Sequence, residues 1–243
     1  TPLSSSAASD VYKRQSNKEY RQWKSEHNSS SIRGLSLDLN DQPVSNIAWQ
    51  DAALFCNWLS EKENLPKFYN VVDDRVTSMN WDSNGYRLPT ESEWSWVAKV
   101  TKAGSTKVFP WNSPSYPPPF VSGNYADESA KSMLPFTISN YNDSFPVSAS
   151  VGSFQPNEKG IFNLSGNVAE WVNDFYEIRV NKSEPLVDYR GPNTGNRHVI
   201  RGASWALGSR SELRLSYREP GYDGKIDVGF RIARYVDKPK GDL

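Results

Sequence analysis

Four positions in the stretch Gly160-Ile161-Phe162-Asn163-Leu164-Ser165-Gly166-Asn167-Val168-Ala169-Glu170-Trp171 have the residue types and spacing of an oxygen-only cation site. Asn163 and Glu170 offer side-chain oxygens, and Gly166 and Val168 can turn backbone carbonyls to the same point, a hard donor set at i, i+3, i+5 and i+7 that suits a hard cation. Spacing alone leaves a second reading open, an Asx-turn at Asn163 with Glu170 on the surface. Further on, Trp205 to Gly224 crowds Arg210, Glu212, Arg214, Tyr217, Arg218, Glu219, Tyr222 and Asp223 into one loop-rich stretch. Tyr and Arg give large contacts and directional hydrogen bonds, so this segment reads as a recognition surface. The alternative is a solvated loop face whose arginines pair with Glu212 and Glu219.

Other chemistries run short of residues. The 243-residue chain has one cysteine, Cys56, and two histidines, His27 and His198, too few for a Cys/His zinc site, a three-histidine iron site or an internal disulfide. Lys+Arg and Asp+Glu balance at 28 each, and no basic run is long enough to attract a polyanion, so no nucleic-acid partner is expected. No apolar run approaches the ~20 residues that span a bilayer, and no membrane insertion is expected.

The elements that must position these residues are few and short. Ser16 to Trp23 sets Tyr20 and Trp23 three apart, as on one face of a short helix. Ala52, Phe55, Cys56 and Leu59 fall at i, i+3, i+4 and i+7 and predict an amphipathic helix over Asp51 to Lys62, with Cys56 on its buried stripe as a small core residue. Thr90 and Glu93 have capping-box spacing and open a helix to about Lys99, with Trp94 and Val97 inward. From about Ala103 to Ile161 the chain is rich in Pro, Asn, Asp and Ser, with one short strand expected over Val147 to Phe154. So long an irregular stretch needs something other than strand ladders to hold it, and bound cations are one such device. Strands are expected over Val168 to Phe175, His198 to Gly202 and Asp227 to Arg234, making the class α+β. Residues 1–15 are small, polar and aperiodic, resembling translated sequencing-adapter sequence at the ends of metagenomic reading frames, and are expected to be a non-native or disordered leader before a domain over residues 16–243.

In order and spacing these segments resemble the formylglycine-generating-enzyme, or sulfatase-modifying-factor, family. The first helix (Trp49-Gln50-Asp51-Ala52-Ala53 to Cys56-Asn57-Trp58-Leu59), Tyr86 to Trp94, Gly160 to Trp171, and Val199 to Trp205 followed by Gly229-Phe230-Arg231-Ile232-Ala233 carry the likeness. Ser16 to Trp23 is similar to a family element that normally follows further N-terminal strands, which implies an N-terminally truncated frame. The resemblance implies a C-type-lectin-like fold with little regular structure and up to two structural calcium sites. One would use Asn163, Gly166, Val168 and Glu170. For the other, the matching positions are Asn124, Tyr125, Asp143 and Phe145, with Asp127 and Glu128 near enough to serve instead.

The same resemblance exposes what is missing. Family enzymes convert a sulfatase cysteine to formylglycine with oxygen and a copper ion held by two cysteines, three and eight residues after the Ser that Ser204 matches; Leu207 and Glu212 stand there. Neither offers copper a thiolate, so copper is not expected and formylglycine-generating activity is not expected. The ergothioneine-type sulfoxide synthases, another branch, draw three histidines largely from an extra helical domain. The expectation is therefore a calcium-stabilised, non-catalytic binding or scaffold module, part of a larger bacterial protein of the envelope, periplasm or cytoplasm. It would take an unknown protein or small-molecule ligand on the Trp205 to Asp223 face. The alternatives are an enzyme of altered oxidative or maturation chemistry around Arg210, Glu212 and Tyr217, and a diversified ligand-display protein. Arg201 and Arg231, on strands, are expected to be structural ion-pair partners.

Overall fold

The computed structural model describes residues 13–111, 113–178 and 188–235. Residues 1–12 of the expected leader lie outside them.

Among the described residues the chain forms three α-helices, two of them opened by capping boxes. Ser16 and Glu19 build a reciprocal capping box for α1 (Asn17–Tyr20), and Thr90 and Glu93 do the same for α3 (Glu91–Lys99). Each box satisfies N–H groups that have no partner within the helix. Between them, α2 (Trp49–Lys62) starts from Ala48 without a side-chain cap, so its stability comes from the stripe it buries. Ala52, Ala53, Phe55 and Cys56 are all buried there against Tyr20, Trp171, Ile200 and Phe230. Cys56 is thus a core residue, and burial pushes its thiol far up, away from a reactive thiolate.

Strands β1 (Lys13–Arg14), β6 (Ala169–Phe175), β7 (His198–Arg201), β8 (Arg218–Gly221) and β9 (Val228–Ile232) make a five-stranded sheet in the order β1-β9-β6-β7-β8. Two hairpins stand apart from it, β2 (Ser31–Ile32) with β3 (Leu35–Ser36), and β4 (Tyr69–Val72) with β5 (Arg75–Met79). β6 is central, antiparallel to β7 and parallel to β9. The expected strands over Val168 to Phe175, His198 to Gly202 and Asp227 to Arg234 are present within a residue or two of their ends. β1 was not expected: it takes Lys13 and Arg14 into the sheet, and Gln15 hydrogen-bonds to both Phe230 and Val44, so three residues assigned to the leader belong to the fold.

The register sets up the central electrostatic problem. Arg14 and Arg231 are direct cross-strand partners, an unfavourable juxtaposition of like charges. Glu170, opposite Gly229, lies on the same face one diagonal step from Arg231 and supplies the missing anion. All three side chains are essentially inaccessible to water. Gly229 must be glycine for the sheet to be covered here, since a Cβ would stand 2.3 Å from the carbonyl oxygen of Val44.

The irregular third of the chain contains, among the described residues, a single 3-10 turn (Glu128–Ala130) and no strand over Val147 to Phe154. The reason is visible in the hydrogen bonds. Asn124 Nδ2 donates to the carbonyl of Val147 (2.8 Å), while Asn167 both accepts from the N–H of Ala149 (2.7 Å) and donates to its carbonyl (2.9 Å). Amide side chains take the place of a neighbouring strand, so the backbone groups are satisfied without a ladder.

Glu170→Gln should destabilise the domain by about 3–5 kcal/mol, because it leaves two buried guanidiniums facing a neutral amide. Urea unfolding checks this; a loss under 1 kcal/mol would show that the triad contributes little.

Candidate functional site

Glu170 is surrounded on all sides. Arg231 Nε donates to its Oε2 and Nη2 to its Oε1, both at 2.7 Å, and the indole N–H of Trp94 donates to Oε2 at 2.8 Å. Arg14 Nε and Nη2 donate to Oε1 at 2.9 and 2.5 Å. Burial alone would raise this carboxyl, but Arg231 and Arg14 outweigh it and hold it below the usual carboxylate range.

Two of the other expected oxygens, the carbonyls of Gly166 and Val168, converge at the same place, joined by the backbone carbonyl of Asn163 instead of its expected side-chain oxygen, which has no hydrogen-bond partner. Arg14 Nη1 donates to the carbonyl of Gly166 (3.1 Å), and Nη2 to those of Asn163 (2.6 Å) and Val168 (2.9 Å). They are presented by a backbone that turns through the left-handed region at Asn163, Gly166 and Asn167. At Gly166, with φ of +91°, a Cβ would come within 2.8 Å of the Tyr125 ring. The backbone carbonyls of Asn163, Gly166 and Val168 and the carboxylate of Glu170 line one oxygen cage, and the side chain inside it is the guanidinium of Arg14. The surface position for Glu170, left open by spacing, is excluded by its burial. Sequence reading missed Arg14 because it lies in the stretch assigned to the leader.

The second set is arranged differently. Asp143 is buried and accepts from the backbone N–H of Tyr125 (Oδ2) and of Phe145 (Oδ1), both at 3.0 Å, while Asp127 accepts from the N–H of Asp143. Asn124 Oδ1 is buried with no hydrogen-bond partner, although its amide nitrogen has two. Burial foremost, with the neighbouring charge of Asp127 added, lifts the Asp143 carboxyl from 3.8 to about 7 against the pull of the two backbone N–H groups. No guanidinium or ammonium faces this carboxylate in its hydrogen bonds or among the groups that set its acidity. An orphaned amide oxygen beside an uncompensated buried carboxylate fits a hard cation, and Asn124 and Asp143 would be its side-chain ligands. Among the described residues no group of three or more His, Cys, Asp or Glu could hold a metal, so such an ion would depend on amide and carbonyl oxygens.

The two positions expected from the resemblance to match the family's copper ligands hold groups with other tasks. Leu207 packs against an apolar cluster that includes Trp111, Tyr125, Tyr141 and Leu213. Glu212 Oε2 accepts from the backbone N–H groups of Gly208 (3.3 Å) and Ser209 (2.9 Å), closing the turn between them.

Around that turn the recognition segment divides by exposure. Trp205 is buried with Leu37, Val147 and Val168, and so supports the face from beneath. Tyr217 is tied to Glu219, which also meets Lys225 (3.0 Å), and Arg218 reaches Glu91 (2.7 Å) on α3. The ion pairs expected of the alternative reading are thus different ones: Glu212 serves a turn and Glu219 pairs with lysine. Arg210, Arg214, Tyr222 and Asp223 remain exposed. Residues 218–221 form β8, which the sequence reading assigned to the loop. Arg201 pairs with Glu91 and Arg231 with Glu170, as their strand positions led one to expect. The ring of His198 lies flat on Trp49, with centroids 3.5 Å apart, and burial lowers its pKa to about 4, leaving a neutral packing element.

With this geometry in place, the comparisons with known proteins are unambiguous about kinship. The chain belongs to the family defined by the sulfatase-modifying factor enzyme 1-like domain, whose model matches residues 8–236. It is 27% identical over 207 residues to the formylglycine-generating enzyme of Streptomyces coelicolor, covering 83% of this chain and 55% of that one. It is 30% identical to chaperone protein LppX of Paenibacillus barcinonensis, covering 80% and 70%. It is also 28% identical to the inactive C-alpha-formylglycine-generating enzyme 2 of Mus musculus, covering 83% and 59%. The chain spans only 55% and 35% of the Streptomyces and bovine formylglycine-generating enzymes. Among solved structures, Treponema denticola variable protein 1 superposes with a TM-score of 0.68 at 26% identity, covering 93% of this chain and 82% of that one. CarF, at 22% identity and a TM-score of 0.59 over 91% and 84% of the two chains, shows the shared C-type-lectin-like fold.

Because the Asp143 carboxyl is raised from 3.8 to about 7, its proton supports the folded state at low pH, and that support is lost as pH rises through this range. The stability difference between the parent and Asp143→Asn, followed by urea midpoints from pH 4 to pH 8 in EGTA, should fall correspondingly; a flat difference would count against a buried, uncompensated carboxylate.

Proposed function

We propose that this domain is a non-catalytic binding or scaffold module that has kept the family's fold without its oxidase chemistry. One observation carries the reading: Leu207 and Glu212 stand where the family's thiolate pair would be. An isobutyl group committed to an apolar cluster and a carboxylate committed to a turn replace two soft ligands. The only cysteine of the chain is buried in α2 and cannot supply a pair. A thiolate site for Cu(I) has no substitute among hard oxygen ligands.

The likeness to a mouse protein described as inactive and to a bacterial chaperone supports a role that does not require turnover. The exposed Arg210, Arg214, Tyr222 and Asp223 supply the binding face, with Trp205 as its support. The likeness to Treponema denticola variable protein 1 makes ligand display a reading of the same face. An altered enzymatic chemistry at Glu212 is disfavoured because its carboxylate already serves two backbone N–H groups.

Calcium in this reading is structural and sits at Asn124 and Asp143, with the backbone of Tyr125 and Phe145. A ligand that binds only the folded state stabilises it by RT ln(1 + [L]/Kd), about 2.7 kcal/mol at a hundredfold excess over Kd. The thermal midpoint should therefore drop on EGTA addition in the parent and not in Asp143→Asn. The catalytic question has its own test: aerobic incubation with copper and a Cys-x-Pro-x-Arg peptide should yield no aldehyde, and its appearance would sink the non-catalytic reading.

A further inference from the structure

The cage formed by Asn163, Gly166, Val168 and Glu170 looks like a metal site in every respect but its contents. We infer that it is a cation site filled from within, in which the guanidinium of Arg14 takes the place of a divalent cation and excludes one. This inference concerns a different site from the calcium position at Asp143 and does not depend on the domain being non-catalytic.

Contacts, charge and a leftover side chain point the same way. Arg14 Nη2 alone lies within hydrogen-bonding distance of three cage oxygens, the Asn163 and Val168 carbonyls and Glu170 Oε1, at 2.6, 2.9 and 2.5 Å. Nη1 takes the fourth, the Gly166 carbonyl, at 3.1 Å. A calcium ion would need these same oxygens at about 2.3–2.6 Å, so ion and guanidinium compete for identical lone pairs. Charge forbids sharing. One carboxylate already faces two guanidiniums, a single net positive charge in a buried site. A divalent ion added beside them would make that three with no further anion, whereas exchange for Arg14 would add only one.

The leftover is Asn163. Arg14 uses its backbone carbonyl, and both polar atoms of the Asn163 side chain are buried without a hydrogen-bond partner. That side chain lines a cavity of about 320 Å³ together with Ser122, Asn124 and Gly166. A carboxamide oxygen without a partner beside a set of converging carbonyls is what remains when a guanidinium, which donates along fixed directions, occupies a cage able to give a spherical ion further oxygens. Removing Arg14 should therefore open the cage to metal, and metal binding in turn should displace the end of β1 from β9.

The test uses the full chain carrying Asp143→Asn, so that the other candidate position contributes nothing, with Arg14 either present or changed to Gln. Terbium serves as the calcium analogue, because the Trp94 indole touches Glu170 and can sensitise an ion held there. With Arg14 present, tryptophan-sensitised emission should stay at background; Arg14→Gln should give saturable emission that excess calcium displaces, and equilibrium dialysis should count one additional calcium. The affinity gain should be at least about tenfold. Equal stoichiometry in the two proteins, whether both bind or neither does, would overturn the inference. If Arg14→Gln unfolds in EGTA, refolding on calcium addition supports it, and failure to refold with calcium counts against it. Arg14→Lys, which keeps the charge but reaches fewer oxygens, should stay metal-free with a lowered thermal midpoint.

Discussion

One buried carboxylate organises this domain. Glu170 sits on the central strand of the main sheet and accepts from Arg231, Arg14 and Trp94. Those donors come from β9, β1 and α3, so a single anion joins three elements far apart in the chain. Without it, two arginines would face each other across adjacent strands in a site closed to water, and the register of β1 on β9 would be repulsive rather than cohesive. A buried ion pair of this kind is not a generous source of stability, because desolvation offsets most of the attraction. What it supplies is a tie between the strands: in the observed register it accepts from donors on β9, β1 and α3 at once.

The same economy of polar groups holds the irregular third of the chain. Asn124, Asp127, Asp143 and Asn167 do with side chains what a sheet does with backbone, each engaging N–H or carbonyl groups of loops distant in sequence. Short polar side chains reach one or two backbone groups each, so many are needed and every one is specific. That explains how a domain with so few strands stays ordered and why the region reads as loop by composition. It also leaves a remainder. Asn124 Oδ1 and the Asp143 carboxylate are buried with less compensation than the rest.

Leu207 and Glu212 each have a structural task. The first extends an apolar cluster and the second closes the turn at Gly208 and Ser209. Each holds the backbone locally, one by apolar packing and the other by two hydrogen bonds. Arg210, Arg214, Tyr222 and Asp223, around the same turn, are exposed.

The sequence by itself determined the elements whose signals are local. The capping box at Thr90 and Glu93, the buried stripe of α2 with Cys56 on it, strands β6, β7 and β9 and the absence of a thiolate pair all follow from residue types a few positions apart. The four ordered motifs likewise fixed the family and the fold class. The tertiary structure alone decided what lies far apart in the chain but together in space. It made Arg14 the occupant of the cage, buried Trp205 beneath the face it was expected to line, and turned residues 218–221 into a strand. It also replaced a strand at 147–154 by side-chain pairing. The physical reason is the same in each case. A cap or an amphipathic stripe is set by neighbours along the chain, whereas a buried charge takes whichever counter-charge the fold delivers. Here 156 residues separate Arg14 from Glu170, and no local pattern encodes that meeting.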